Sequence, residues 1–174
     1  MKLTRPMETA RLRVRSYRAE DRDFCLSLWG DRENGKYMSD PAAENADERY
    51  LSFFDGMEED PDGYYLIAEL RETGERVGTC CAFPENGNAD IGYCIKKDRW
   101  RQGLGAEMVS ALLLRAGEAG CVSATAEAAD ENAASVGLLL SLGFAPERKT
   151  VYRKLGEETR FEAHVYRKEL ANPE

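Results

Sequence analysis

The residues best placed to do chemistry lie in one run, ADIGYCIKKDRWRQGLGAE, which spans Ala89 to Glu107. Its segment Ile91 to Ile95 is short, apolar and partly β-branched, which predicts a strand. Gly103-Leu104-Gly105 then opens a long apolar-periodic stretch that predicts a helix. A glycine turn between a strand and a helix can bind an anion such as pyrophosphate, because the first N–H groups of a helix lack internal partners and lie at the positive end of its dipole. The alternative is an ordinary turn whose glycines serve only geometry.

A basic cluster directly precedes this turn in a chain whose net charge is −8. We expect these side chains to meet the phosphates of a bound cofactor, although a solvated surface face is the alternative. The cluster consists of Lys96, Lys97, Arg99 and Arg101.

The turn matches neither of two common phosphate motifs. Met108 stands where a dinucleotide fingerprint needs its third glycine, and no GK[ST] follows. The run Trp100 to Gly105 instead resembles the acyl-CoA loop of the GNAT N-acetyltransferases, [QR]-x-x-G-x-[GA]. Trp100 departs from the first position, and this departure is similar to the RimJ/RimL-like branch that acetylates ribosomal proteins.

A second motif strengthens the resemblance. Asn132 to Phe144, NAASVGLLLSLGF, has the frame N-x-x-S followed by L-G-F, which is similar to a GNAT segment. The two motifs follow one another in the family's order, and the resemblance covers roughly residues 8–170. It implies a single GNAT domain over those residues that uses acetyl-CoA as acyl donor and an amine as acceptor.

The resemblance also assigns the cofactor contacts. The pantetheine arm is expected along the backbone of the predicted strand, the pyrophosphate in the glycine turn, and a hydrogen bond to the cofactor arm from Asn132, which is equally suited to cap a helix. The strand residues are Tyr93, Cys94 and Ile95, and those of the turn are Arg101, Gln102, Gly103, Leu104, Gly105 and Ala106.

Aminolysis of a thioester needs a base for the amine proton and a donor for the oxyanion. Asp90 and Glu127 occupy positions where GNAT bases occur, although acidic residues are plentiful and the alternative for each is a solvent-exposed carboxylate. The tyrosine that often serves as general acid falls at Leu139 and is missing. Tyr93, Tyr152 or water remain as proton donors. None of the five cysteines is paired by sequence with a positioned histidine, which favours direct attack without a covalent enzyme intermediate.

Composition bounds the remaining possibilities. The 174 residues are 43% hydrophobic and 32% charged, which predicts one globular domain. The acidic balance argues against a nucleic-acid partner and fits cationic acceptors. No apolar run is long enough for a membrane span, and the N-terminus lacks a secretory core. Five cysteines without a CxxC pair and a single histidine give no metal site and indicate a cytoplasmic protein with reduced thiols.

Periodicity supplies the elements that would position these residues. We expect a mixed α/β fold in which a twisted, mostly antiparallel sheet of six to seven strands has helices on both faces and splays between the strands at Ile91 and Val122. The predicted strands are 10–17, 64–70, 76–83, 91–95, 122–126, 144–152 and 160–166. The predicted helices are 19–29, 47–57, 103–119 and 133–142.

Two further expectations concern partners. Tyr37, Met38, Phe53 and Phe54 either line the acceptor site or belong to the core. The terminal hairpin, residues 151–170, offers an edge that could pair in a homodimer. The alternatives in function are a non-catalytic acyl-CoA-binding module and an enzyme that uses another acyl donor.

Overall fold

The computed structural model describes residues 1–170, which form a single sheet flanked by helices. The strands are β1 (Met7–Glu8), β2 (Leu12–Ser16), β3 (Tyr64–Leu70), β4 (Arg76–Glu85), β5 (Asn88–Ile95), β6 (Ser123–Ala129), β7 (Ala145–Arg153) and β8 (Arg160–Glu169). The helices are α1 (Arg22–Trp29), α2 (Glu48–Met57), α3 (Leu104–Glu118) and α4 (Ala133–Ser141).

The strand order across the sheet is β1-β2-β3-β4-β5-β6-β8-β7. Every neighbouring pair is antiparallel except β5 and β6, which are parallel. Parallel neighbours need a crossover, and here α3 provides it. The predicted mixed, mostly antiparallel sheet is confirmed, with eight strands in the described residues, because the two-residue β1 joins those expected.

Helices cover both faces of the sheet, as predicted. On one face α3 packs Leu104, Met108 and Leu112 against alternate residues of the central strands such as Ile91 and Ile95. On the other face α1 and α2 form a second cluster in which Trp29, Phe54 and Met57 pack with Ile67 of β3 and Cys94 of β5. Below, these are the α3/α4 face and the α1/α2 face.

The turn between β4 and β5 shows how local signals set the register. Asn86-Gly87 occupies the predicted hairpin turn, and β5 begins directly after it at Asn88 rather than at Ile91. Val122 N–H donates to the carbonyl oxygen of Gly87 at 2.7 Å, which starts the parallel pairing with β6. The turn therefore aligns the two strands that form the site.

Arg15 does not follow the alternation of buried and exposed side chains expected for β2. The alternation of β2 puts Arg15 with the outward residues, but its side chain is buried. It donates two hydrogen bonds to Asp21, at 2.6 and 2.9 Å, and one to Glu69 at 2.7 Å. The short helical turn after β2 folds Asp21 back onto the strand and thereby encloses the guanidinium.

The terminal hairpin was expected to form a sheet edge, and only one of its two strands does so. β8 lies between β6 and β7, so β7 alone forms this edge of the sheet. Most of β7 is exposed on both faces. Within residues 1–170, the helices are too short or too polar to cross a bilayer.

Candidate active site

The site is built around the point where β5 and β6 separate. Their parallel ladder has three residue pairs and ends at Asp90 opposite Thr125. Both strands continue, β5 to Ile95 alongside β4 and β6 to Ala129 alongside β8. The predicted splay is therefore present, and it opens a gap in the middle of the sheet.

The direction of the β5 backbone decides which groups face this gap. Lys96 N–H donates to the carbonyl oxygen of Val77 at 2.8 Å, on the β4 side. Because successive residues of an antiparallel strand alternate in direction, Cys94 also points its backbone groups at β4, whereas Tyr93 and Ile95 point theirs at the gap. The prediction that the Cys94 backbone meets the cofactor is not supported, because Cys94 is paired with Thr79 of β4 and its backbone groups face that strand.

Two side chains fix the end of β5, and sequence reasoning missed both. The carbonyl oxygen of Ile95 accepts from Trp100 Nε1 at 2.6 Å and from Asn34 Nδ2 at 3.0 Å. Asn34 Oδ1 also accepts from Lys97 N–H at 2.7 Å. The aromatic residue that departs from the usual motif thus ties the glycine turn to the strand. Its presence at position 100 was the available signal.

The first backbone N–H groups of α3, the helix after the glycine turn, have no hydrogen-bond acceptor within the helix. Gly103 is the N-cap of α3 with φ of 77°, a conformation that favours glycine, and no side chain among residues 1–170 caps the helix. Arg101 also has a positive φ, 61°. The N–H groups of Leu104, Gly105 and Ala106 belong to the first turn and have no helical acceptor. Gly105 lies so close to α4 that a Cβ there would come within 2.9 Å of Leu138.

The glycine turn is held from behind by the segment before β2. Arg11 Nη1 donates to the carbonyl oxygen of Gln102 at 2.8 Å, and Arg11 Nε donates to Glu107 at 2.7 Å. Glu107 also accepts from the hydroxyl of Thr9. Burial acts to raise the pKa of Glu107, but these hydrogen bonds outweigh it and hold that pKa below its usual range. The carboxylate in the first turn of α3 is therefore neutralised by Arg11.

Most of the basic cluster is already paired. Lys96 lies 3.0 Å from Glu75, Lys97 lies 2.9 Å from Glu33, and Arg99 also pairs with Glu75. Within residues 1–170, Arg101 makes no ion pair, and its side chain is exposed. Of the four basic side chains expected to meet cofactor phosphates, only Arg101 is without an ion-pair partner within residues 1–170.

Asn132 has the capping role that was one of its two predicted roles. Its Oδ1 accepts from Ser135 N–H at 3.2 Å at the start of α4. Ser135 Oγ lies 2.8 Å from the hydroxyl of Tyr93, so β5 and α4 are linked across the gap on the α3/α4 face. Burial raises the pKa of Tyr93 to about 12, which keeps the phenol protonated at neutral pH.

Both candidate bases lie on the α1/α2 face, on opposite sides of the divergence. Asp90 ends the ladder and accepts from Thr125 Oγ1 at 3.0 Å. Desolvation by the surrounding protein raises the pKa of Asp90 above its usual value, although the bond from Thr125 and the charge of Arg148 act against this. Glu127 is two residues beyond Thr125 on the same face of β6 and, like Asp90, is exposed. Burial, with a smaller contribution from the charge of Glu127, raises the pKa of Tyr152 to about 12.

The loop between α1 and α2 is held against the end of β7. Lys154 is buried and donates to the carbonyl oxygens of Gly35 and Met38 at 2.7 and 3.2 Å. Tyr152 donates to the carbonyl oxygen of Tyr37 at 2.5 Å. Of the four aromatic and methionine residues proposed for the acceptor wall, Phe54 is buried core, Tyr37 and Met38 are half-buried, and Phe53 is exposed.

The cysteines do not form a nucleophilic site. All five are free, and burial raises the pKa of Cys94 and of Cys81 to about 12, so these thiols are neutral. Within residues 1–170, no group of three or more histidine, cysteine or carboxylate side chains is arranged to hold a metal ion.

Comparison with known proteins identifies the family. A model of the acetyltransferase (GNAT) domain matches residues 11–145. The chain belongs to the GNAT acetyltransferase family. The predicted resemblance is thus confirmed, and the matched group includes the RimJ/RimL-like enzymes.

Individual GNAT proteins resemble the chain over most of its length. The N-acetyltransferase p20 of Bacillus licheniformis is 30% identical over 149 residues, which cover 80% of this chain and 82% of that protein. Spermidine N-acetyltransferase from Vibrio cholerae, solved with CoA and spermine, has a TM-score of 0.80 at 15% identity, covering 94% of this chain and 98% of the other. RimL, a ribosomal L7/L12 α-N-protein acetyltransferase solved with CoA, has a TM-score of 0.78 at 14% identity, covering 97% and 99%. The chain is therefore an N-acetyltransferase of the GNAT family, and the two solved structures share its fold.

Proposed function

We propose that the protein transfers the acetyl group of acetyl-CoA to a primary amine by direct attack of the amine on the thioester. The observation that carries this proposal is the gap between β5 and β6, which has a glycine turn at one end and two carboxylates on one face. Both solved relatives named above were crystallised with CoA. One is named for spermidine and the other for a protein α-amine, which supports an amine as acceptor.

The backbone of the gap suits the donor. An extended pantetheine arm can pair with a free strand edge as an added strand would. Tyr93 offers N–H and C=O groups on that edge, and Ile95 offers its N–H because its carbonyl oxygen is already bonded. The uncapped N–H groups of Leu104 to Ala106 and the charge of Arg101 are suited to the pyrophosphate. Asn132 Nδ2, which makes no hydrogen bond within residues 1–170, is available to donate to the cofactor arm.

The acceptor then approaches from the α1/α2 face. An amine attacks only when it is neutral, so a base must take its proton. We assign this role to Asp90 rather than Glu127, because Asp90 lies at the last paired residue of the divergence and its raised pKa makes it the better proton acceptor. Oxyanion stabilisation falls to a backbone N–H of β5 that faces the gap.

We assign to Tyr93 the donation of a proton to the departing thiolate. Its hydroxyl lies on the α3/α4 face, next to α4, where it replaces the family tyrosine that is absent at Leu139. Leu139 itself is completely buried in the core and cannot serve. Tyr152 lies on the opposite face and donates its proton to a loop carbonyl, which makes it the weaker candidate.

The missing tyrosine favours one alternative, in which the protein binds acyl-CoA without turnover. An amine panel separates the two functions. We expect wild-type protein to release free CoA from acetyl-CoA when a suitable primary amine is present, at a rate that saturates with amine. Succinyl-CoA in the same assay tests the choice of donor. Binding of acetyl-CoA without CoA release for protein N-terminal peptides, polyamines and small amines alike would contradict the enzymatic proposal.

We also propose that two copies associate through β7. This strand is an edge of nine residues, with most of both faces exposed and with Val151 among the exposed large apolar side chains. Its outward N–H and C=O groups are a template for antiparallel pairing.

A further inference from the structure

Four polar side chains form one continuous hydrogen-bond chain across β5 and β6. Ser123 Oγ donates to Asn88 Oδ1 at 2.8 Å, Asn88 Nδ2 donates to Thr125 Oγ1 at 2.9 Å, and Thr125 Oγ1 donates to Asp90 Oδ1 at 3.0 Å. The residues alternate along their strands, so all four side chains lie on the α1/α2 face. The chain ends where the strands separate.

The chain has a defined direction. A hydroxyl has one proton, and an amide NH₂ group only donates. Because Thr125 Oγ1 accepts from Asn88, its own proton is directed to Asp90. Ser123 is 1% exposed and Thr125 is 9% exposed, so water competes little for these groups. Asp90 thus receives a fixed donor on one carboxylate oxygen.

We propose that Thr125, oriented by Asn88, is a positioning residue that holds the Asp90 carboxylate at the mouth of the gap with its second oxygen free for the acceptor amine. This inference rests on the proposed function and adds residues that lie outside the two motifs, Trp100 to Gly105 and Asn132 to Phe144. Within residues 1–170, Asp90 Oδ2 makes no hydrogen bond, which leaves it available to take a proton.

The charges near Asp90 set the direction of the expected effect. Burial raises its pKa, and the Thr125 bond lowers it, with Arg148 of β7 acting in the same direction. The neighbouring thiol of Cys81 on β4 is neutral, because burial raises its pKa to about 12. Glu127 is the next residue on this face of β6, and Arg167 of β8, opposite Thr125, pairs with Glu169. Removal of the Thr125 hydroxyl therefore raises the pKa of Asp90 further.

The decisive variants are Thr125→Val, which keeps the shape and removes the donor, and Thr125→Ser, which restores it. We expect the pKa of Asp90, followed by carboxyl ¹³C NMR, to rise by about one unit in Thr125→Val, the size of effect that a lost hydrogen bond to a charged group has. The acid limb of kcat/KM should move to higher pH by the same amount, and kcat/KM below that limb should fall about tenfold, with KM for acetyl-CoA unchanged. Thr125→Ser should return both values towards wild type. Thr150→Val, on β7 and without a bond to Asp90, is the control.

Two results would overturn the inference. One is an unchanged Asp90 pKa in Thr125→Val. The other is a raised pKa with an unmoved acid limb, because Thr125 would then not act on catalysis through Asp90. Should Thr125→Val fail to fold, Asn88→Ala tests the same chain, with a smaller shift in the same direction expected. Failure of the proposed function is distinct, since wild-type protein would then release no CoA with any amine.

Discussion

At the scale of single residues, Asp90 and Glu127 differ in environment although they lie on the same face. Both side chains are exposed, but Asp90 accepts a hydrogen bond from Thr125 and has a raised pKa, whereas Glu127 makes no hydrogen bond or ion pair within residues 1–170. We expect Asp90→Asn to lower kcat/KM at neutral pH by about 100-fold or more, the usual contribution of a positioned base. Because the base works in its ionised form, wild-type activity should fall as pH decreases through the raised pKa of Asp90. The pH profile of Asp90→Asn should lack this limb.

Glu127→Gln is the matched control for that experiment. It removes the second carboxylate on the same face, and its kcat/KM should stay within a few-fold of wild type. A larger loss in Glu127→Gln than in Asp90→Asn would reverse the assignment of the base.

Asp21 is a buried carboxylate whose charge is expected to contribute to stability. It is completely buried and accepts from Arg15, Arg76 and the backbone N–H of Arg18. Burial acts to raise the pKa of Asp21, but these donors outweigh it and hold that pKa below its usual value. A depressed pKa in the folded state stabilises the protein above the unfolded pKa of about 3.9, and this stabilisation is lost as pH falls through the folded value.

We therefore expect Asp21→Asn to lower the free energy of unfolding at pH 7 by about 3–5 kcal/mol, because it leaves the buried Arg15 without its main partner. The difference from wild type should shrink in urea titrations at progressively lower pH. Asp23→Asn, an exposed carboxylate two residues away, should change stability little. Equal losses for Asp21→Asn and Asp23→Asn would contradict this account.

At the scale of elements, the glycine turn depends on the segment before β2. Arg11→Ala removes the bonds to the Gln102 carbonyl oxygen and to Glu107, so the turn loses its support and Glu107 keeps an unneutralised charge near the pyrophosphate site. We expect the Kd for acetyl-CoA, measured by calorimetry, to rise about tenfold, which corresponds to about 1.4 kcal/mol.

Arg13→Ala is the control for Arg11→Ala. Arg13 lies two residues further along, in β2, is exposed, and approaches Glu8 at 3.6 Å. Its Kd for acetyl-CoA should match wild type. If both substitutions weaken binding equally, the effect belongs to net charge and not to the support of the turn.

The elements themselves could be predicted from sequence because their signals are local. The strand Tyr64–Leu70 was predicted with its observed bounds, and Asn86-Gly87 fixed a hairpin. The contacts that complete the site join distant residues, such as Arg11 to Glu107 and Thr125 to Asp90, and no periodicity encodes them. The direction of the Cys94 backbone likewise follows from register with β4, which a single strand pattern does not determine.

At the scale of the whole molecule, the exposed β7 edge leads to a prediction about assembly. Lys154 N–H donates to Thr159, so by alternation Val151 points its N–H away from β8. Val151→Pro removes only an outward donor. We expect wild type to be dimeric by light scattering after size exclusion, and Val151→Pro to be a folded monomer that still binds acetyl-CoA. A wild type that is monomeric at every concentration would contradict pairing through β7.

The central claim, that the glycine turn before α3 binds acetyl-CoA, is tested most directly by ligand-induced stabilisation. At 100 times its Kd, acetyl-CoA should stabilise wild type by about 2.7 kcal/mol, which raises Tm by several degrees for a chain of this size. Gly103→Glu should abolish the shift in Tm. The new carboxylate repels the phosphates, and the positive φ at position 103 is strained for a residue other than glycine.

Gly120→Glu provides the matched control, since Gly120 also has a positive φ, 90°, but lies at the far end of α3. Both variants should lose some intrinsic stability, and only Gly120→Glu should keep the shift with acetyl-CoA. The contradicting result is a wild type whose Tm does not move at millimolar acetyl-CoA, or a shift that survives in Gly103→Glu.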